Sequence, residues 1–248
     1  HEYNNVLTID PSSRRRLGAY WPLQFALPEN GAASTKATTY FVDYQGVRFI
    51  VLDGTSALDL GTLKDQAGWL DRTLAGSTAA WNVVIFHQPI FSCARPADTK
   101  ELKASWGPIL ERRKVDLVLQ GHDHCYSRLT VAAEASEAEF DEASASGAGP
   151  VYMVSIAGSK MYGLNNRADL RLDRAAEATQ LYQIVDVADD RLSVRVYTAT
   201  GRLYDGVDIE RGSDGRKFVR EMGDVLMAER RCEGSLGPDG TDCGVRMK

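Results

Sequence analysis

The sequence predicts a mixed α/β fold with a parallel portion in mid-chain and antiparallel strands towards the end, and three observations carry that prediction. Two apolar runs with β-branched members, Trp81 to Phe86 and Val115 to Leu119, flank a segment, Asp98 to Lys114, whose apolar residues recur at helical spacing. Strand, helix, strand in that order is a βαβ unit, which lays its two strands side by side and parallel. Leu181 to Val187 and Arg191 to Thr198 then read as a hairpin around Asp189-Asp190. Finally, 44% hydrophobic and 25% charged residues in 248 are ordinary globular values, enough for one large core or two small ones.

Taken in order, residues 1 to 39 read as a long connection with one apolar, proline-bounded knot from Trp21 to Pro28. Connections of this length in a compact domain are usually functional or lid-like. Arg14-Arg15-Arg16 within it is read as a solvated face rather than a phosphate contact. Tyr40 to Tyr44 and Val47 to Asp53 form a hairpin around Gln45-Gly46, and Leu63, Ala67, Leu70 and Leu74 mark an amphipathic helix ending near Gly76. The next strand, Trp81 to Phe86, is stopped by Pro89 and sets His87 at its end. The helix from Asp98 to Lys114 buries Leu102, Trp106, Ile109 and Leu110 and carries Arg112, Arg113 and Lys114 in its last turn, where cations suit the helix dipole. Ser127 to Val131, Pro150 to Ala157 and Leu203 to Ile209 read as further strands, and the Ala/Ser/Glu/Gly-rich tract from Glu134 to Gly149 as a surface excursion. After Glu210 the composition shifts to charge, Gly and Asp, so residues 1–210 are expected to form the main domain and 211–248 a tail or small appendage.

A net charge of -5 offers no electrostatic case for nucleic acid or anionic lipid as partner. No apolar run approaches the roughly 18 residues needed to span a bilayer. Four cysteines are present. Cys232 and Cys243 flank a Gly-rich acidic loop and either close it by a disulfide, implying an oxidising compartment, or stay free thiols. Cys93 and Cys125 each follow a histidine closely; a bridge or a thiolate ligand is open to them, and buried unreactive thiols are the favoured reading.

The chemistry gathers in Gly121-His122-Asp123-His124, where a buried strand ends and two imidazoles leave one loop. A loop at the carboxyl end of a parallel strand is aimed into a crevice by a rigid support, and neutral imidazole is the commonest protein ligand for zinc, iron and similar ions. The chain has four histidines, His1, His87, His122 and His124, all in short segments that look like site motifs. Any one alone reads as an ordinary core or surface group; together they point to a metal site. No Gly-x-Ser-x-Gly elbow, phosphate-cradling Gly-x-x-x-x-Gly-Lys or Gly-x-Gly-x-x-Gly is present. Arg95 and Arg128, near the two histidine motifs, are read as structural or surface arginines, with contact to substrate oxygens the less favoured role for Arg95.

Val84-Ile85-Phe86-His87, Gly121-His122-Asp123-His124 and the opening His1-Glu2, in that layout, resemble the last three of five motifs of calcineurin-like metallophosphoesterases, most closely the purple acid phosphatase branch and its secreted bacterial members. The resemblance covers roughly residues 1 to 210. It implies the later part of a layered α/β/β/α sandwich and a phosphoric ester hydrolase acting on phosphate-ester small molecules through a dinuclear metal centre and a metal-bound hydroxide. Two divalent or trivalent ions, iron, zinc or manganese, are implied, with His87 and His122 as ligands to one and His124 to the other. His1 would contact the phosphate and protonate the leaving group, a role that suits a histidine near neutral pKa. An upstream segment carrying a first Asp, a bridging Asp with a nearby Tyr, and an Asn is expected before His1. The intact protein is expected to be extracellular or periplasmic and active; this stretch, with three imidazoles and no bridging carboxylate, is expected to be weakly active or inactive. The competing readings are a non-catalytic half-domain and a simple His-site metal-binding module.

Overall fold

A computed structural model describes residues 3–5, 15–132, 148–165, 167–213, 215–223 and 226–232. Strands β1 (Tyr3–Asn5) and β2 (Arg15–Leu17) pair as a short antiparallel ribbon, and α1 (Trp21–Gln24) is a single turn within the apolar knot. Arg15 pairs with Asp59 at 3.1 Å in solvent, as a charged face would. The predicted hairpin is β3 (Tyr40–Tyr44) and β4 (Val47–Val51), joined by Gln45 and Gly46, both at positive φ (46° and 80°), the combination that matches strand twist in a two-residue turn.

Two helices follow. α2 (Gly54–Asp59) was not legible from periodicity because it is short, but Asp53 caps it, accepting from Ser56 N at 2.9 Å. α3 (Leu63–Ala75) ends at Gly76 as expected. Beyond β5 (Trp81–Ile85) the expected single helix is two, α4 (Lys100–Ser105) and α5 (Gly107–Arg112). Pro108 in the first turn of α5 lacks the N–H that would continue the ladder from α4. β6 (Leu117–Gln120), β7 (Tyr126–Ala132), β8 (Ala148–Val154) and β9 (Arg174–Ala176) complete the first half. The remaining strands are β10 (Leu181–Val187), β11 (Arg191–Thr198), β12 (Leu203–Arg211) and β13 (Lys217–Glu221). Most of the Glu134–Gly149 excursion lies outside the described residues.

The strands form a seven-stranded sheet, β3-β4-β5-β6-β8-β7-β9, and a four-stranded sheet, β10-β11-β12-β13. β4, β5, β6 and β8 are parallel neighbours, so the βαβ reading holds. Alternation along these strands decides the layers. Ile50, Val84, Val118 and Tyr152, in register across the sheet, face Leu70, Trp106 and Leu110 of the helices. Val83, Leu117 and Val151, one residue away, face Val194, Val196 and Val207 of the second sheet. Each such side chain, when fully buried, contributes about 1.5–3 kcal/mol of transfer free energy. Among the described residues the result is helix, sheet, sheet, in keeping with the later part of an α/β/β/α sandwich.

Buried charges pin the two sheets together. The Arg128 guanidinium, 1% exposed, donates to Asp205 at 2.8 Å and to Glu221 at 2.9 Å, while Tyr126 donates to the same Asp205 at 2.6 Å. Arg128 is therefore structural. Arg211 pairs with buried Asp116 at 2.8 Å, and Lys217 donates to the Val115 carbonyl at 2.7 Å. The last contacts differ from the composition-based expectation of a tail after Glu210: β13 is an edge strand of the second sheet, and edge strands tolerate the charge that made the segment look unstructured. The opposite edge, β10, exposes Tyr182, Ile184, Val185 and Val187. Among the described residues no helix is long and apolar enough to cross a membrane.

Candidate metal centre

β5 and β6 run parallel with Ile85 opposite Leu119, so the loops leaving their carboxyl ends emerge side by side. His87 stands on the first loop and Gly121 to His124 on the second. Gly121 N donates to the His87 carbonyl at 2.9 Å, tying the loops at their bases. A Cβ at position 121 would make an ordinary contact with His87 Nδ1 at 3.5 Å, so a side chain larger than alanine would crowd the imidazole. The His87 and His122 rings meet edge to face with centroids 4.9 Å apart.

Both motif histidines sit in the left-handed region, His122 at φ 71° and His124 at φ 52°. Each such residue with a Cβ costs about 1–2 kcal/mol, and strain of this kind persists where surrounding contacts over-determine the backbone. Those contacts are present. Asp123 N donates to the Gly121 carbonyl at 2.8 Å, and Tyr162 N to the His124 carbonyl at 3.0 Å. The Asp123 side chain, fully buried, accepts from Ser92 Oγ and pairs with Arg95 Nε at 3.2 Å. Cys93 and Cys125 are joined in a disulfide that staples the loop after His87 to the loop after His124. This corrects the expectation of buried thiols and removes the thiolate-ligand alternative. The signal was in the sequence, two cysteines each a few residues past a site histidine, but spacing alone does not say that two loops meet.

His124 Nδ1 lies 2.7 Å from the Lys160 carbonyl oxygen, and its ring stacks on Tyr162 at 4.8 Å. A carbonyl only accepts, so Nδ1 carries a proton, which in the neutral ring leaves the lone pair on Nε2, the arrangement that orients metal-ligating histidines. Neither Lys160 nor Tyr162 could be tied to the site from sequence, because the contact spans the β8 strand. Burial depresses the His87 pKa, and positive charge around it, that of Arg95 included, depresses it further. A neutral imidazole is the form a metal needs.

The donor set therefore suits a transition-metal ion: ring nitrogens on rigid strand ends, with the His87 and His122 rings in edge-to-face contact. The three imidazoles do not draw within 4.8 Å of one another; among the described residues the trio of ligand-type atoms that does is Cys93, Asp123 and Cys125, whose sulfurs are bonded to each other and whose carboxylate is ion-paired. A cavity of about 500 Å³ opens beside His87, walled by Tyr3, Trp21, Phe25 and Tyr40 together with Asp53 and Gly121. The long N-terminal connection thus supplies the apolar wall. Tyr3 donates its hydroxyl to Asp53, and burial followed by that carboxylate raises its pKa. His1 and Cys243 lie outside the described residues; Cys232 is itself disulfide-bonded.

The calcineurin-like phosphoesterase family matches residues 1–126. Purple acid phosphatase 4 of Arabidopsis thaliana is 41% identical over 63 residues, 25% of this chain and 19% of that protein. Probable purple acid phosphatase 20 of the same plant is 26% identical over 171 residues, 66% of this chain and 37% of that protein. The chain thus spans well under half the length of either relative. Among solved structures, purple acid phosphatase PPD1 from yellow lupin (Lupinus luteus) seeds superposes with a TM-score of 0.55 at 17% identity, over 77% of this chain and 35% of that one. PhoD superposes with a TM-score of 0.51 at 14% identity, over 78% and 45%. With half of its length matched and the fold shared, the chain belongs to the calcineurin-like phosphoesterase family, and its resemblance runs to that family's purple acid phosphatase branch.

Proposed function

We propose that this chain carries the histidine side of a dinuclear metal site in a hydrolase that cleaves phosphoric esters of small molecules. The observation that supports it most is the pair of strand ends delivering His87 and His122 edge to face at 4.9 Å, with His124 beside them and its Nδ1 committed to the Lys160 carbonyl at 2.7 Å. His87 and His122 would hold one ion and His124 the other, iron, zinc or manganese in identity. Bound there, two such cations would supply Lewis-acid charge to a transferring phosphoryl group and lower the pKa of water.

The chain's own part is positional. Burial and neighbouring charge keep His87 neutral and ready to bind. The Lys160 carbonyl selects the His124 tautomer. The apolar wall of Tyr3, Trp21 and Phe25 would exclude water from the organic side of an ester. His1 is proposed, from its motif, as the group that meets the phosphate and protonates the leaving oxygen.

All three imidazoles are neutral donors, and two multivalent cations need anionic ligands to offset their charge. The 248-residue chain alone is therefore expected to be weakly active or inactive, and a simple metal-binding module is the second reading that this neutrality favours. The Cys93–Cys125 disulfide supports an oxidising compartment, extracellular or periplasmic. Elemental analysis of the purified chain after exposure to zinc, iron or manganese, beside His122→Ala, tests the site; equal metal content in both would refute it. Aryl phosphate hydrolysis then separates the readings. Turnover abolished by His122→Ala supports the hydrolase, whereas metal uptake with no turnover, even when a segment carrying anionic ligands is supplied, leaves the binding module.

A further inference from the structure

We propose that Arg95 binds phosphoryl oxygens beside the histidine cluster, and that Asp123 is the residue positioning it. The inference rests on the metal-site reading above and adds a substrate contact to it.

Arg95 sits on the loop that follows His87, and its Nε pairs with Asp123 at 3.2 Å. Asp123 lies between His122 and His124 in sequence, so the guanidinium is referenced to the same loop that carries those two rings. The Arg95 backbone is held as firmly: its N–H donates to Ser92 Oγ at 2.8 Å, and its carbonyl accepts from Asn165 Nδ2 at 2.7 Å. Asn165 also donates to the Ser92 carbonyl at 2.8 Å, and the disulfide at Cys93 closes the loop onto Cys125.

Arginine and carboxylate frequently meet bidentately, through two parallel N–H groups. Here the closest approach is Nε to Asp123 Oδ1 at 3.2 Å, an ion pair without hydrogen-bond geometry, while Nη2 is buried with no hydrogen-bond partner among the described residues and the side chain as a whole is 38% exposed. The guanidinium is thus neither fully paired nor released to solvent. It also stands close enough to His87 for its charge to act on that ring. A fixed cation beside rings that would hold cations is electrostatically unfavourable unless an anion sits between them, and a phosphate group with several acceptor oxygens supplies both the charge and the acceptors. Asp123, buried and anionic, keeps the guanidinium in place while that anion is absent.

The probe is inorganic phosphate, titrated calorimetrically into the full chain with and without zinc, with zinc content measured separately. Arg95→Gln leaves Asp123 buried and unpaired, so Arg95→Gln/Asp123→Asn serves as the charge-neutral variant. Zinc content and melting midpoint are measured for the double variant alongside, and phosphate affinity is compared at matched zinc occupancy; the expected reduction is about 10- to 100-fold, the worth of a charge-assisted hydrogen bond. Asp123→Asn alone, which keeps the cation but frees it, is expected to fall between. Phosphate binding by the double variant within threefold of wild type overturns the inference, as does a zinc-loaded wild type that binds no phosphate. A wild type that takes up no zinc refutes the metal-site reading itself, and this inference falls with it.

Discussion

Replacing Cys93 and Cys125 together by alanine removes a cross-link spanning 32 residues, and the cost follows from that length. In the chain-entropy account, releasing a loop of that size restores freedom to the unfolded chain worth about 3.7 kcal/mol at 25 °C, within a usual range of about 2–5. At about 2–4 °C per kcal/mol for a domain of this size, the melting midpoint should fall by roughly 7–15 °C. Urea unfolding with linear extrapolation is the assay. A reductant is not a substitute, because Cys232 is disulfide-bonded as well and would open too. The slope against urea should rise, since an uncrosslinked unfolded chain exposes more surface. The same variant should lose zinc affinity, because Cys125 adjoins His124, whose backbone is held at φ 52° by its surroundings. A stability loss under about 1 kcal/mol with an unchanged slope would refute the reasoning, placing the bridge's value neither in the unfolded chain nor in the loops it joins.

Three further outcomes are expected. Gly121→Ala should bind zinc as wild type does, since its Cβ makes an ordinary 3.5 Å contact with His87 Nδ1, whereas Gly121→Val should displace the ring and weaken uptake more than tenfold; equal affinities would show that the glycine does not shape the site. Burial pushes the Lys217 ammonium from 10.5 down to about 8 despite the opposing charge of Asp116. Between those values the unfolded chain binds more protons, so stability should rise as pH climbs from about 8 to 10.5 and be lost again as it falls, by up to about 3 kcal/mol. Lys217→Met should flatten that slope in urea midpoints while Arg211 still pairs Asp116 at 2.8 Å, and parallel slopes would refute the assignment. Ile184→Lys on the open β10 edge, where the native side chain is 45% exposed, should reduce concentration-dependent light scattering with little change in melting; unchanged scattering would show the edge is not the sticky surface.

How much was legible depends on whether a signal was local. The β3–β4 turn, the α3 apolar stripe and the strand runs before His87 and Gly121 are one-dimensional patterns, and each formed as its period implied. Elements too short to repeat a pattern were missed. β1 and β2 are three residues each, α2 is six, and the break before Pro108 was hidden because Trp106, Ile109 and Leu110 keep helical spacing across it. β13 was missed for another reason, its composition being that of an exposed edge.

By itself the sequence determined the fold class, the parallel placement of β5 and β6, and hence that His87 and His122 leave neighbouring strand ends, because periodicity and the βαβ crossover act through adjacent residues. Only the tertiary structure decided that Cys93 meets Cys125, that the Lys160 carbonyl orients the His124 ring, and that Arg95 rests on Asp123 with one nitrogen buried and, among the described residues, without a hydrogen-bond partner. Those contacts join loops between 28 and 36 residues apart whose paths depend on how the sheet beneath them packs, and no local pattern encodes a path.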